Sequence, residues 1–291
     1  MRAALVGLLC AALGASAQAD TITVGVFAPS APFPSTAAKV ELASKLGDAI
    51  GAALGEKAVG RVYARAGDFG AAVKKGDVTI ALVDATYLAS ASGYTVIAGS
   101  VRGGDTTQAW QLVAKGASKL TDLRGKRVLV PANGGRETEF VLNVLLGGLE
   151  KTFFGKIDAA ADTASALSAL GLGKADAAVV PVGVDLPAGA TAVLTLPGLA
   201  TPVLVTYGTL TAAQRSAIAA AVTGFRGDAT IGGFRAVDGD GVRAIARRFG
   251  VPVKRGPFVT PSVRLLVGDL VEGRKPLVIE RTPVAQFAEA P

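Results

Sequence analysis

The chain has 291 residues, a formal charge of +7, one cysteine and no histidine. Those counts remove the Ser-His-Asp triad, the Cys-His pair, histidine–metal sites and imidazole acid–base chemistry, so neither a metal ion nor a cofactor is expected. The charges are scattered rather than clustered, which reads as a solubilising surface with a mild bias toward anionic ligands and not as a nucleic-acid face.

The opening, MRAALVGLLCAALGASAQAD, places Arg2 before an apolar run from Ala3 to Leu13. That run is too short to span a bilayer and fits the core of a secretory signal. Ala17-Gln18-Ala19 has the small–x–small cleavage pattern, so residues 1–19 are read as a signal peptide and Asp20 as the mature N-terminus. Leu9 before Cys10 does not fit a lipid-anchored protein. Cys10 leaves with the signal, and a mature chain of about 270 residues buries enough surface without disulfides. No later stretch has the roughly twenty apolar residues of a membrane span.

Thr21–Phe27 reads as a strand, followed by a Pro-rich loop, Ala28–Pro34. Ser35 or Thr36 caps a helix whose apolar face is Val40, Ala43, Leu46, Ile50 and Leu54, ended by Gly55. A strand is expected over Val59–Ala64. Asp68 then caps a short helix with Phe69 and Val73 inward and Gly76 as its stop. Val78–Val83 is a near-continuous apolar strand of the central kind. Asp84-Ala85-Thr86-Tyr87 opens a short helix ending at Gly93, and Tyr94–Ser100 returns as a strand. This alternation predicts a largely parallel sheet with helices on both faces, with ligands beyond the carboxyl ends of its strands.

The pattern restarts after a polar break at Gly103–Gln108. Ala109–Ala114 and Val128–Pro131 read as strands, separated by a polar turn. Residues 132–138 lead into a helix with Phe140, Val141, Val144 and Leu145 on one side and Gly147-Gly148 as its stop. Asp162 or Thr163 caps a helix through Leu167 and Leu170. Ala175–Val182 and Ala192–Leu196 read as strands, and Pro197–Pro202 as a second crossing. Val203–Tyr207 is a strand. Thr211 and Gln214 form a capping box for a helix lined by Ile218, Ala221, Val222 and Phe225. Asp240 caps a helix with Val242, Ile245, Ala246 and Phe249 inward. Beyond it, Pro261–Val271 reads as helix or half-hairpin and Leu277–Glu280 as strand.

Three segments carry a family resemblance: Lys74-Lys75-Gly76-Asp77-Val78-Thr79-Ile80-Ala81, Leu120-Thr121-Asp122-Leu123-Arg124-Gly125-Lys126-Arg127-Val128, and the helix–GK-x-D-A–strand element over 166–180. In their order and spacing the chain resembles periplasmic solute-binding proteins of the two-lobed, type 2 kind, in the phosphate/phosphonate/sulfonate and transferrin-like group. The resemblance implies an α/β fold of two lobes, each a mainly parallel sheet flanked by helices. It places the crossings near 103–109 and 197–203. Lobe 1 would then be 20–104 with a return over 201–250, lobe 2 would be 105–200, and 251–291 an extension. It further implies hinge closure around a small solute and delivery to a membrane permease of the ABC type.

Candidate ligand-binding residues follow from strand ends and helix starts. In the first half they are Phe33 as an apolar wall, Ser35 and Thr36 as hydroxyl donors or caps, and Asp84 as an amine partner or cap. Thr86 and Tyr87 follow the central strand. In the second half Asn133, Gly135, Arg136 and Thr138 replace the Ser/Thr-rich run typical of the phosphonate pattern. Backbone N–H groups there suit an anion, and Arg136 suits a carboxylate, sulfonate or phosphate. Glu137 favours a cationic group or stabilises the helix start. Trp110 reads as hinge packing.

These features predict a non-catalytic, monomeric periplasmic receptor for an anionic or zwitterionic solute, with a permease as partner and no nucleic acid. A two-lobed sensor or accessory protein acting through protein contacts is the alternative. An exported enzyme would have to rely on carboxylates or lysine.

Overall fold

The computed structural model describes residues 21–250. The signal segment and the elements expected over 251–291 lie outside the described residues.

Eleven strands fall into two sheets among these residues. The first is built from β1 (Ile22–Phe27), β2 (Ala58–Val62), β3 (Ile80–Val83), β4 (Thr95–Val101), β10 (Val203–Thr206) and β11 (Gly233–Arg235), in the order β11-β4-β10-β3-β1-β2. The second is built from β5 (Thr107–Lys115), β6 (Arg127–Pro131), β7 (Lys156–Ala160), β8 (Ala177–Pro181) and β9 (Ala190–Ala200), in the order β7-β6-β8-β5-β9. The α/β class holds, but the sheets are mixed rather than mainly parallel. β1, β2 and β3 pair parallel, as do β6, β7 and β8. β10 runs antiparallel between β3 and β4, and β5 runs antiparallel between β8 and β9. These are the strands that receive or return the chain as it passes between sheets, at 102–106 and 201–202, so they enter from the opposite end. β9 extends to Ala200, which shortens the second crossing.

Helix α1 (Thr36–Leu54) starts where the Ser35 hydroxyl accepts the Ala38 N–H and ends at Gly55 in the left-handed region. Its buried stripe is Leu42, Ala43, Leu46 and Ile50. Val40 is 52% exposed, because the stripe runs one position later than expected there. α1 lies so close on β2 that a Cβ at Gly60 would fall on the Ala43 carbonyl oxygen. α2 (Ala66–Lys75) starts three residues earlier than predicted, with Arg65 at the cap position. Asp68 sits inside its first turn rather than capping it, where a carboxylate still complements the helix dipole. α3 (Ala85–Leu88) stops well before Gly93. After β6 comes one turn, α4 (Glu137–Glu139), and then a wider π-type turn over Phe140–Leu145 that buries Leu142 as well as the four expected residues. α5 (Thr163–Gly171), α6 (Ala212–Thr223) and α7 (Asp240–Gly250) complete the set. Asp162 caps α5, and Thr211 with Gln214 forms the capping box of α6. In α7 Val242, Ile245 and Phe249 are buried, while Ala246 is half-buried. β7 and β11 were not expected.

The two faces of the molecule differ chemically. On one, a single apolar cluster runs through both sheets, from Phe27, Phe69 and Leu88 to Trp110, Phe140 and Phe249. On the other, α1 covers the first sheet with one cluster and α5 covers the second with another. There the two halves meet through polar contacts.

Candidate functional site

The carboxyl ends of β1, β3 and β6 bring three turns together. Asp84, just past β3, is 2% exposed. Although it precedes α3, its side chain makes no cap bond. It turns to the loop after β1 instead, accepting the Ser30 N–H at 2.7 Å and the Ser30 hydroxyl at 2.7 Å. Burial pushes its carboxyl up to about 7, against the opposing pull of the two Ser30 bonds and the Lys39 charge.

The same loop reaches the other sheet. The Thr163 N–H donates to the Pro29 carbonyl at 3.0 Å, and the Thr163 hydroxyl donates to the Ser30 carbonyl at 2.9 Å. Beside them Lys39 of α1 pairs with Asp162 at 3.3 Å. Burial tends to raise the Asp162 carboxyl, but the two Ser165 bonds and Lys39 together leave it below its ordinary value.

The turn after β6 is closed on itself. Gly134 and Gly135 have φ of 72° and 91°, a conformation that strains any other residue. One Glu137 carboxylate oxygen accepts the N–H of Asn133 at 2.7 Å and of Gly135 at 3.2 Å. The N–H groups expected to hold an anion therefore already hold a carboxylate of the chain. Arg136 donates to the Ser90 hydroxyl at 3.2 Å, and its guanidinium stands 4.5 Å from the centre of the Phe249 ring. Tyr87 lies half-buried against Phe27 and Phe69, and a Cβ on Gly134 would approach its ring to 3.0 Å. Asn133 is different: it is 2% exposed, and both side-chain amide atoms are buried without a hydrogen-bond partner. Such a group costs about 1–3 kcal/mol unless something satisfies it.

Of the expected residues, Asp84, Tyr87, Asn133, Gly135 and Arg136 thus gather at the junction of the two sheets. Thr86 is buried in the first turn of α3. Phe33 is buried in the α1-side cluster, with Lys39 Nζ 5.5 Å from its ring centre. Ser35 is exposed and occupied in capping, and Thr36 and Thr138 are exposed. Trp110 packs edge-on against Phe140, 5.2 Å between ring centres. Sequence reasoning missed Ser30, Lys39 and Thr163 as bridging residues. Only the N-cap signal at Asp162–Thr163 marked that neighbourhood. Among the described residues, no group of three or more acidic, Cys or His side chains could hold a metal ion.

No protein-family model matches the chain, and no curated protein does. Solved structures resemble it over most of its length. A Xanthomonas citri protein bound to chloride ion superposes with a TM-score of 0.61 at 12% identity, covering 79% of this chain and 98% of that one. PhnD1 from Prochlorococcus marinus, in complex with methylphosphonate, gives 0.61 at 13%, covering 78% and 96%. A binding protein component of an ABC phosphonate transporter from Pseudomonas aeruginosa gives 0.60 at 11%, covering 76% and 83%. The fold is that of the two-lobed, type 2 periplasmic binding proteins. At these identities the likeness is one of fold. The three turns lie where the two sheets of the chain meet.

Proposed function

We propose that the protein is a non-catalytic solute receptor. A small solute is clasped between one lobe, residues 20–104 with 201–250, and a second, residues 105–200, and is delivered to an ABC-type permease. The single observation that carries this reading is Asn133, in the turn after β6 beside the junction, whose buried amide has all its hydrogen-bonding capacity unused. The contrast between the two faces supports it. The apolar cluster shared by both sheets makes a fixed contact, whereas the polar bonds on the α1–α5 side exchange with water at little net cost, so opening occurs there. The receptor is read as a periplasmic monomer; the signal-like residues 1–19 support the location. The fold includes a transporter's binding component among its solved examples, which supports the permease as partner.

Calorimetric titration with a panel of small anions, amino acids and neutral polar solutes tests the reading, with small-angle scattering before and after saturation. The expected result is binding by one class, with compaction. Absence of binding by every class overturns it. One observation favours a second reading, a sensor or accessory protein acting through protein contacts: Thr163 and Ser30 bond directly across the junction. Pull-down of a periplasmic protein, together with no solute binding, would select that reading.

A further inference from the structure

Besides Asn133 and the hydroxyls of Tyr63 and Tyr207, two buried polar groups among the described residues lack partners: the Ser100 hydroxyl, on a residue 1% exposed, and Nη1 of Arg102. Both lie where β4 runs into the first crossing segment. They are two residues apart, so the strand alternation puts them on one face. Ala98, two residues earlier on β4, belongs to the α1-side cluster together with Ile80 and Leu82 of β3. Continued past each strand, that same face carries Ser100 of β4 and Arg102 just beyond its end, and Asp84 just beyond β3. In the second lobe, Leu129 of β6 belongs to the α5-side cluster, and the same alternation carries its face to Asn133. The α1 and α5 sides are one side of the molecule, because Lys39 and Asp162 join them.

Arg102 also spans the lobes, since its Nη2 donates to the Gly183 carbonyl at 3.3 Å. Gly183 follows β8, the neighbour of β6. Among the described residues no carboxylate lies within ion-pair distance of this guanidinium, and burial lowers its pKa. A half-buried guanidinium with one arm fixed and the other bare leaves a charge-assisted donor unused. The other cations at the junction are engaged, Lys39 by Asp162 and Arg136 on Phe249.

Resting on the solute-receptor reading, we infer that Arg102, Ser100 and Asn133 form the subsite for an anionic group of the solute, a carboxylate, sulfonate or phosphonate, beside the crossing segment rather than at the glycine turn. Guanidinium, hydroxyl and carboxamide supply the donors, and Glu137 keeps the glycine turn closed to anions. Asp84 lies on the same face of the sheet, separated from β4 by β10, a span of roughly 10 Å at ordinary strand spacing. Its carboxyl disfavours a second anionic group at that end.

The test titrates the mature full chain with acetate, methanesulfonate and methylphosphonate, and with acetamide and ethylamine as neutral and cationic counterparts. Arg102→Gln and Arg102→Lys are compared with Arg215→Gln, at an exposed residue of α6, as control, and Ser100→Ala is added because removing an unpartnered hydroxyl should not lower the melting temperature. The expected result is binding of at least one anion, weakened at least tenfold by R102Q and several-fold by S100A, partly restored in R102K and unchanged in R215Q. Anion binding that R102Q and S100A leave intact overturns the subsite alone. So does binding of only acetamide or ethylamine, which keeps the receptor reading. Absence of binding by all five probes and by the wider solute panel overturns both.

Discussion

Thr163 and Ser30, 133 residues apart, are joined by a 2.9 Å hydrogen bond from the Thr163 hydroxyl to the Ser30 carbonyl. The Ser30 peptide also gives its N–H, and its side chain its hydroxyl, to Asp84. One residue thus couples a buried carboxyl beside the first sheet to the first residue of helix α5 beside the second. Thr163→Val keeps the shape and removes the hydroxyl. It is expected to lower stability by about 1 kcal/mol and to leave the solute-free protein more open. Denaturant melts and scattering check the two effects separately.

Asp162 does two jobs, and two substitutions separate them. It pairs with Lys39 and it accepts the Ser165 N–H at 2.9 Å as the cap of α5. Asp162→Asn keeps an acceptor for the cap and loses the ion pair, at an expected cost below about 1 kcal/mol that shrinks in high salt. Asp162→Ala loses both and costs about 1 kcal/mol more, a difference that salt does not remove.

The carboxyl of Asp84 makes stability depend on pH. Its pKa is raised on folding from 3.8 to about 7 by burial. The folded state therefore holds a proton that the unfolded chain has already released. The resulting stabilisation is fully present below pH 3.8 and is lost as pH rises through about 7. Urea unfolding at a series of pH values should show stability falling across this window by on the order of a few kcal/mol. Asp84→Asn should flatten that part of the profile, so that the variant matches or exceeds the parent at pH 8 and falls below it at pH 5. An unchanged slope in the variant would assign the effect to other groups.

Glu137 satisfies two N–H groups of the glycine turn. Glu137→Ala leaves them without their partner and is expected to cost about 1–3 kcal/mol, with Glu137→Gln recovering part through its remaining oxygen. The alanine variant should also gain weak affinity for sulfate at the freed turn, read by thermal shift against salt of equal ionic strength.

Local signals carried much of the architecture. The Ser35 cap and Gly55 stop bracket α1, Thr211 and Gln214 open α6, and the apolar runs of β3, β6 and β8 announce buried strands. Strand direction is not a local property, which is why β10 and β5 were not foreseen as antiparallel. β11 has three residues and β7 alternates without a clear apolar face, so neither stood out. The stripe Phe140, Val141, Val144 and Leu145 was legible after 139, but the extra burial of Leu142 and the wider turn were not, since a shift from i→i−4 to i→i−5 bonding leaves no mark in the apolar pattern of so short a segment. That Asp84, Asn133 and Arg136 would lie near the junction was legible from their places at strand ends and helix starts. Ser30 and Thr163 were not, since their role exists only across the junction. Nor were Ser100 and Arg102, which sit in a strand end that looks like any other connection.

The place of β10 has a further consequence, for the order in which the molecule can be completed. It lies between β3 and β4, pairing Val203 with both Val83 and Gly99. The second sheet, by contrast, is drawn entirely from 107–200, an unbroken stretch. A growing chain can close that sheet while β3 and β4 still show each other unpaired edges, and such edges invite other chains. The wait ends only when a strand made after the whole second lobe threads back into the gap, a closure over a long loop of the kind that slows folding. The half synthesised first is the half finished last.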